Sequence, residues 1–219
     1  MPHLPDIFDE VEEDLRAERA RKFWQRFGVP ILGALLLVVA GVGGWQAWRW
    51  YENRQQEAAA TAFLEVSRAT EAQGADLAAM AERFEALAAS APAGYRTIAL
   101  LRAAALKAEA GDREGALALY DRLAGDSGAD PLYRDLASLM WVLRSLDSGD
   151  PATLAARIAP LARPGAPWSA SARELAALVS LKAGDRAEAR RQLEALAADV
   201  TAPRGIRERA GRIAQGLAG

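Results

Sequence analysis

The residue types that carry out most enzyme chemistry are scarce in this sequence. Its 219 residues include no cysteine and one histidine, His3, which lies between two prolines in the N-terminal tail. A histidine base, a thiolate nucleophile and a histidine or cysteine metal site are therefore excluded from the rest of the chain. Gly41, Gly43 and Gly44 lie inside an apolar segment rather than in a phosphate-binding loop. We predict a protein that is not an enzyme and has no cofactor, metal ion or small-molecule substrate.

Carboxylates are abundant, but their spacing favours a structural role. Aspartates close behind a glycine recur at intervals of 36, 38 and 35 residues, in the segments Gly74-Ala75-Asp76, Gly111-Asp112, Gly149-Asp150 and Gly184-Asp185. Glycine can adopt the left-handed conformation that ends a helix, and aspartate can cap the next helix by accepting hydrogen bonds from its free amides. Glu188 would complete a capping box with Asp185. We expect each of these segments to be a tight turn between two helices.

Internal periods of 35–38 residues predict a helical repeat array. Apolar residues recur at spacings of three and four on both sides of the turns, so each repeat should consist of two antiparallel helices. Residues Pro203 to Leu217 should form a last helix that caps the array. The predicted fold is all-α, with a single transmembrane helix followed by an α-solenoid of about four helix-turn-helix units.

Two of the four units resemble the tetratricopeptide repeat. In that repeat, alanine follows five residues after the glycine of the turn, and a large apolar or aromatic residue follows four residues later. The matching units are Gly111-Asp112 with Ala116 and Tyr120, and Gly184-Asp185 with Ala189 and Leu193. The units around Asp76 and Gly149-Asp150 are degenerate, since the latter has Leu154 and Ile158 at these positions. Within this fold, Ala116 and Ala189 should lie at helix contacts where only a small side chain fits.

The segment from Phe27 to Trp48 carries no charge and is long enough to span a membrane. As a helix it would extend about 33 Å, compared with about 30 Å for the hydrocarbon core of a bilayer. Tryptophans at its C-terminal end suit the headgroup layer. The long acidic leader, the length of the apolar core and the bulky residues that follow argue against a cleaved signal peptide.

The flanking cations predict the orientation of this span. Five lysines and arginines precede it, whereas only Arg49 and Arg54 follow at a similar distance. By the positive-inside rule, the N-terminus should be cytoplasmic and the bulk of the chain should cross the membrane. We therefore predict a cytoplasmic tail at 1–26, a transmembrane helix at 27–48 and a TPR-like helical domain at 49–219.

The tail should contain an amphipathic helix that begins at an Asp6 cap, with a narrow apolar stripe that includes Val11 and Leu15. A stripe of this kind suits either a helix that rests on the cytoplasmic membrane surface or one that docks on a protein partner. The first half of the helix is acidic. The sequence leaves both interpretations open.

Small residues recur along one face of the predicted span, at Gly33, Ala40, Gly44 and Ala47. In lipid, small residues allow the close backbone approach that supplies much of the attraction between helices. This face is a candidate docking surface. Glycine and alanine are also common in spans that serve only as anchors, so both interpretations remain open.

The domain after the span favours protein partners over nucleic acid. Residues 49–219 contain 22 acidic and 22 basic side chains, and a neutral domain is a poor match to phosphate backbones. Helical repeat stacks often bind extended peptides in a concave groove. Tyr120 and Trp141 fall at core spacings, whereas Trp168, beside a Pro-Gly-Ala-Pro break, is the candidate exposed aromatic ring of such a groove.

The order of these features resembles the ancillary subunit family of the bacterial Sec translocon, whose TPR domain is related to that of a periplasmic cell-division coordinator. The resemblance rests on the charged leader ending Arg21-Lys22-Phe23-Trp24, the glycine-rich span ending Gly43-Gly44-Trp45 and the Gly-Asp repeats. It implies an inner-membrane protein with a periplasmic domain. Its partners would be translocon channel subunits, periplasmic chaperones or nascent secreted chains. The alternative is a scaffold for envelope growth or cell division that binds a fixed protein partner.

Overall fold

The computed structural model of the chain describes residues 7–217. Over this range the regular secondary structure is α-helical, without strands, which confirms the predicted all-α class. The helices are α1 (Ile7–Glu71), α2 (Leu77–Ser90), α3 (Ala93–Glu109), α4 (Arg113–Ala124), α5 (Pro131–Ser145), α6 (Pro151–Ile158), α7 (Ser169–Lys182), α8 (Arg186–Ala198) and α9 (Arg204–Gly216).

The long helix α1 contains the predicted tail helix, the predicted span and the first helix of the array, and Pro30 lies within it. The predicted cap Asp6 lies outside the described residues, as do the side chains of Val11 and Leu15. The part from Arg21 to Glu71 includes a segment that is long and apolar enough to cross a membrane, and none of that segment is buried. A helix of this kind is compatible with a single-pass membrane anchor.

The chain divides into two compact units, Met1–Arg54 and Gln55–Gly219. In the second unit, each helix from α2 to α8 packs against the next, and α3, α5, α7 and α9 also contact one another in succession. The end of α1 belongs to this unit, because the centre of the Phe63 ring lies 5.3 Å from the centre of the Phe84 ring and 6.3 Å from that of the Tyr95 ring. The array therefore contains four helix pairs and a final helix α9, in agreement with the prediction.

The turns inside the pairs use aspartate as predicted. Asp112 Oδ1 accepts a hydrogen bond from the Gly115 amide at 2.9 Å, and Asp150 Oδ2 accepts one from the Thr153 amide at 2.9 Å. Asp76 and Asp185 cap α2 and α8 in the same way. The amide of Gly115, together with the Lys107 ammonium, lowers the pKa of Asp112. Each of the four second helices thus begins at an aspartate cap.

The capping box predicted at α8 is only half formed. The Asp185 carboxylate accepts from the Glu188 amide, but the Glu188 carboxylate accepts from Arg191 and Gln192 instead of returning to Asp185. The Asp185 amide already donates a hydrogen bond to the carbonyl of Ser180, so this amide is satisfied without the Glu188 side chain. The prediction of a reciprocal box was wrong for this reason.

Glycine performs two different tasks at these turns. Gly74, Gly111 and Gly184 have φ angles of 77°, 89° and 85°, the left-handed conformation that the turn mechanism requires. Gly149 does not adopt a positive φ, contrary to our expectation for all four turns. It is needed for a close approach instead, because a Cβ there would lie 2.8 Å from the Ser145 carbonyl oxygen.

The predicted packing positions are buried. Ala116, Ala189 and Leu193 are fully buried, and Tyr120 is 1% exposed. In the degenerate third pair, Leu154 and Ile158 occupy the equivalent positions and are also buried. One apolar cluster extends from Val66 to Ala137, and two further clusters fill the remainder of the array. Leu154 therefore occupies in the third pair the position at which the second and fourth pairs have an alanine.

We predict that Ala116→Leu destabilises the array by about 1–3 kcal/mol, because the added methyl groups have no free volume at a fully buried helix contact. The measurement is urea unfolding of the purified protein followed by circular dichroism. Ala118→Leu is the matched control, since Ala118 lies on the exposed side of the same helix. If Ala116→Leu unfolds at the wild-type urea concentration, the assigned contact is incorrect.

Candidate functional site

Among the residues that the structure describes, no group of three or more His, Asp and Glu side chains is arranged to hold a metal ion. The aspartates that recur through the sequence are occupied as helix caps. The surfaces that remain as candidate sites are an exposed helix face on α1 and open clefts between helices of the array.

The small-residue face of α1 makes no contact with other elements that the structure describes. A Cβ added at Gly33 or Gly44 would meet no atom within 4 Å, and Ala40 and Ala47 are exposed. Gly41 is equally open, and it lies about a quarter turn round the helix from the centre of this face. The geometry leaves room for another helix to approach closely at either place.

Aromatic side chains are exposed at both ends of the apolar segment. Trp24 and Trp45 are 21 residues apart, about 32 Å along a helix, which is close to the thickness of a hydrocarbon core. The guanidinium of Arg49 lies 4.8 Å from the centre of the Trp45 ring, and that of Arg54 lies 4.6 Å from the Trp50 ring. Rings and cations in this arrangement suit the headgroup layer.

Trp168 is less exposed than we predicted. Its indole Nε1 donates to the carbonyl of Leu132 at 2.9 Å, and its ring packs half-buried against the cluster that contains Leu154 and Ile158. It also lines a cleft of about 850 Å³ between the loops that precede α7 and α9. The bond to Leu132 fixes the ring against the array, so Trp168 is a structural contact with one edge on a cleft.

Asp199 and Arg173 form the polar part of this cleft. The Arg173 guanidinium donates to Asp199 Oδ2, while the amide and hydroxyl of Thr201 donate to Asp199 Oδ1 at 2.9 and 2.6 Å. The Thr201 hydroxyl and the Arg173 guanidinium lower the pKa of Asp199 to about 2. This network joins the end of α8 to α7, and within it the charges of Arg173 and Asp199 are paired with each other.

A groove of about 350 Å³ lies between α5, α7 and α9, the first helices of the last two pairs and the final helix. Its walls are mostly aliphatic, and Leu143 is 45% exposed there, whereas Leu139 is 8% exposed. The lining residues are Leu139, Leu143, Ser171, Glu174, Leu175, Leu178, Arg209 and Ile213. We refer to this feature as the α5–α7–α9 groove.

An ion pair between a buried carboxylate and a half-exposed guanidinium lies in the α5–α7–α9 groove. Glu174 is 9% exposed, and both of its carboxylate oxygens accept hydrogen bonds from Arg209, from Nε and Nη2, each at 2.6 Å. Arg209 keeps about half of its side chain exposed, at 51%. The bonds to Glu174 raise the pKa of Arg209, so the guanidinium stays charged and fixed in position.

Sequence reasoning did not identify this groove. Glu174 and Arg209 are 35 residues apart on α7 and α9, and their pairing depends on the tertiary packing of those helices. The available signal was Leu143, a large apolar residue that lies at an exposed position of α5. A second open cleft of about 660 Å³, lined largely by alanines, lies between α6, α7 and α8.

Comparison with protein families gives one match. Residues 21–208 match the family described as a tetratricopeptide repeat-like domain, a range that begins ahead of the apolar segment of α1 and ends within α9. No curated protein and no solved structure gave a match.

We predict that Asp199→Asn lowers the melting temperature at neutral pH, because the variant loses the ionic bond to Arg173. The depressed pKa means that the ionised carboxylate contributes stability above the ordinary aspartate pKa of about 3.9. That contribution is lost as the pH falls through about 2. The difference between variant and wild type should therefore shrink over this acid range. Asp147→Asn, at an exposed position, is the control variant and should keep the wild-type melting temperature at neutral pH.

Proposed function

Because the chain belongs to the tetratricopeptide repeat-like domain family, we propose that it is a membrane-anchored scaffold that binds proteins and catalyses no reaction. Repeats of this family build helical protein-binding scaffolds, and the α5–α7–α9 groove offers an open apolar surface for that purpose. The single observation that carries the proposal is that α1 joins an unburied apolar segment to the first pair of the array.

The more specific role that we propose is ancillary to the bacterial Sec translocon. The charged leader, the glycine-rich span and the Gly-Asp repeats occur in the order typical of that family of subunits. With the array in the periplasm, the anchor would hold it beside the channel exit and raise its effective concentration for emerging chains. Weak binding in the groove would then allow each chain to pass to periplasmic chaperones.

This role requires the N-terminus to be cytoplasmic and the array to be periplasmic. The excess of cations before the apolar segment, compared with Arg49 and Arg54 after it, supports that orientation. The small-residue face of α1 would supply contacts with membrane-embedded channel subunits, because close approach of backbones favours association in lipid.

We predict that an alkaline phosphatase fusion placed after Gly219 is active and that one placed after Arg26 is inactive. The reason is that this enzyme matures only outside the cytoplasm. Activity is measured in intact cells, with immunoblotting to show that both fusions are made in equal amounts. The reverse pattern would exclude the proposed orientation and the translocon role with it.

We predict that the tagged full-length protein, purified from mildly solubilised membranes, recovers translocon channel subunits and periplasmic chaperones. Gly44→Leu should reduce the recovery of channel subunits, because leucine prevents close approach on the small-residue face. Gly41→Leu is the comparison variant, since both glycines are open but Gly41 lies about 90° round the helix from the centre of the small-residue face. Both variants should retain membrane insertion and the wild-type circular dichroism spectrum.

The same purification separates the alternatives. Recovery of division or envelope-growth proteins in place of channel subunits would favour the alternative scaffold. Equal recovery of channel subunits with Gly41→Leu and Gly44→Leu would mean that α1 only anchors the protein and that the array selects the partner.

A further inference from the structure

We propose that the α5–α7–α9 groove binds uncharged, apolar segments of extended polypeptide, and that Arg209 donates hydrogen bonds to backbone carbonyls of the bound segment. This inference rests on the proposed protein-binding function and names the chemistry of the ligand. Three properties of the groove carry it: its aliphatic walls, its internally compensated charge and the unused donors of Arg209.

The aliphatic walls favour burial of apolar side chains. Leu143 is 45% exposed, and Leu178 and Ile213 are half-buried beside it. Covering such apolar surface removes it from water and therefore favours binding. The volume of about 350 Å³ lies at the low end for ligand pockets, about 300–1,000 Å³. The groove therefore suits a few residues of an extended chain rather than a folded partner.

The charges that line the groove compensate each other. Glu174 and Arg209 are its only charged lining residues, and they form a two-bond ion pair. A charged side chain of a ligand would lose hydration on entry and find no unpaired opposite charge. Because Glu174 already neutralises Arg209, the groove gives no net advantage to an acidic ligand. Charge complementarity thus selects an uncharged segment.

Arg209 nevertheless offers hydrogen-bond donors at the surface of the groove. A guanidinium has five N–H groups, and Arg209 uses one on Nε and one on Nη2 for Glu174. The remaining N–H groups make no hydrogen bond to any other residue that the structure describes. An extended segment carries backbone carbonyls that need partners once they leave water. The Glu174 contact holds the guanidinium in place, so little side-chain freedom is lost on binding.

The test uses the full-length protein in lipid nanodiscs and a fluorescent ten-residue peptide of leucine, valine, serine and glycine. Two matched peptides replace two leucines with aspartate or with lysine. We expect the uncharged peptide to bind at least about tenfold more tightly than either charged peptide in fluorescence anisotropy. Empty nanodiscs provide the value for binding to lipid, which is subtracted.

Variants locate the binding site. Leu143→Asp and Leu178→Asp should each weaken binding of the uncharged peptide about tenfold, because both place an uncompensated charge in the groove. Val200→Asp is the matched control, since Val200 is 82% exposed on the loop between α8 and α9 and lies outside the groove. Unchanged melting temperatures exclude unfolding as the cause. If a melting temperature falls, Leu143→Ser replaces Leu143→Asp, and it should still weaken binding.

The role of Arg209 has its own variant. Arg209→Lys keeps the positive charge beside Glu174 but loses the planar set of donors, so it should weaken binding of the uncharged peptide several-fold with little effect on its preference over the charged peptides. Wild-type affinity in this variant would overturn the donor role.

Equal binding of all three peptides, tighter binding of the aspartate peptide, or wild-type affinity in Leu143→Asp would overturn the proposed ligand class. These outcomes are independent of the partner purification, which tests the scaffold function through α1. Recovery of channel subunits together with equal binding of the three peptides would retain the proposed function and exclude this groove chemistry.

Discussion

Each helix of the array starts with amide groups that have no carbonyl partner inside the helix, and the structure depends on how these groups are satisfied. At the four tight turns inside the pairs, an aspartate accepts from the amides of the second helix within three residues. The preceding glycine lets the chain reverse in that short distance, through a left-handed φ at three turns and through close contact at Gly149. This local arrangement sets the antiparallel pairs, and the pairs in turn bring Ala116 and Ala189 to fully buried crossings.

The features that sequence reasoning identified are those encoded by neighbours in the chain. Glycine–aspartate spacing and apolar periodicity located the turns, the four pairs and the last helix, because capping and helical faces depend on residues within about four positions. Two errors were local, the reciprocal capping box at Glu188 and the positive φ at Gly149. The others concern contacts between distant positions. Trp168 donates to Leu132 across 36 residues, and Glu174 binds Arg209 across 35. Periodicity predicts that such residues face a neighbouring helix, but it does not predict which side chain they contact.

The two units follow opposite rules of burial. In the array, apolar side chains such as Phe84 and Leu193 are hidden by neighbouring helices. In the apolar segment of α1, Leu36, Val38 and their apolar neighbours are exposed. Such a surface is unfavourable in water and favourable in lipid, where the helix already satisfies its own backbone hydrogen bonds. The exposed apolar segment of α1 is therefore compatible with a surrounding lipid phase, whereas the array buries its apolar residues as a water-exposed domain does.

The shortness of α6 has a consequence for cooperativity. α6 has eight residues, whereas the other second helices α2, α4 and α8 have 14, 12 and 13. Its missing turns are replaced by the loop around Gly165, and the cleft of about 660 Å³ remains open beside it. In a linear array, stability is a sum of repeat terms and nearest-neighbour coupling terms, and the smallest coupling decides where the array separates into blocks. Among successive helices from α2 to α9, α6 makes the smallest interfaces, with α5 and with α7. We therefore expect hydrogen exchange in the last pair and α9 to follow a different opening equilibrium from that of the first two pairs.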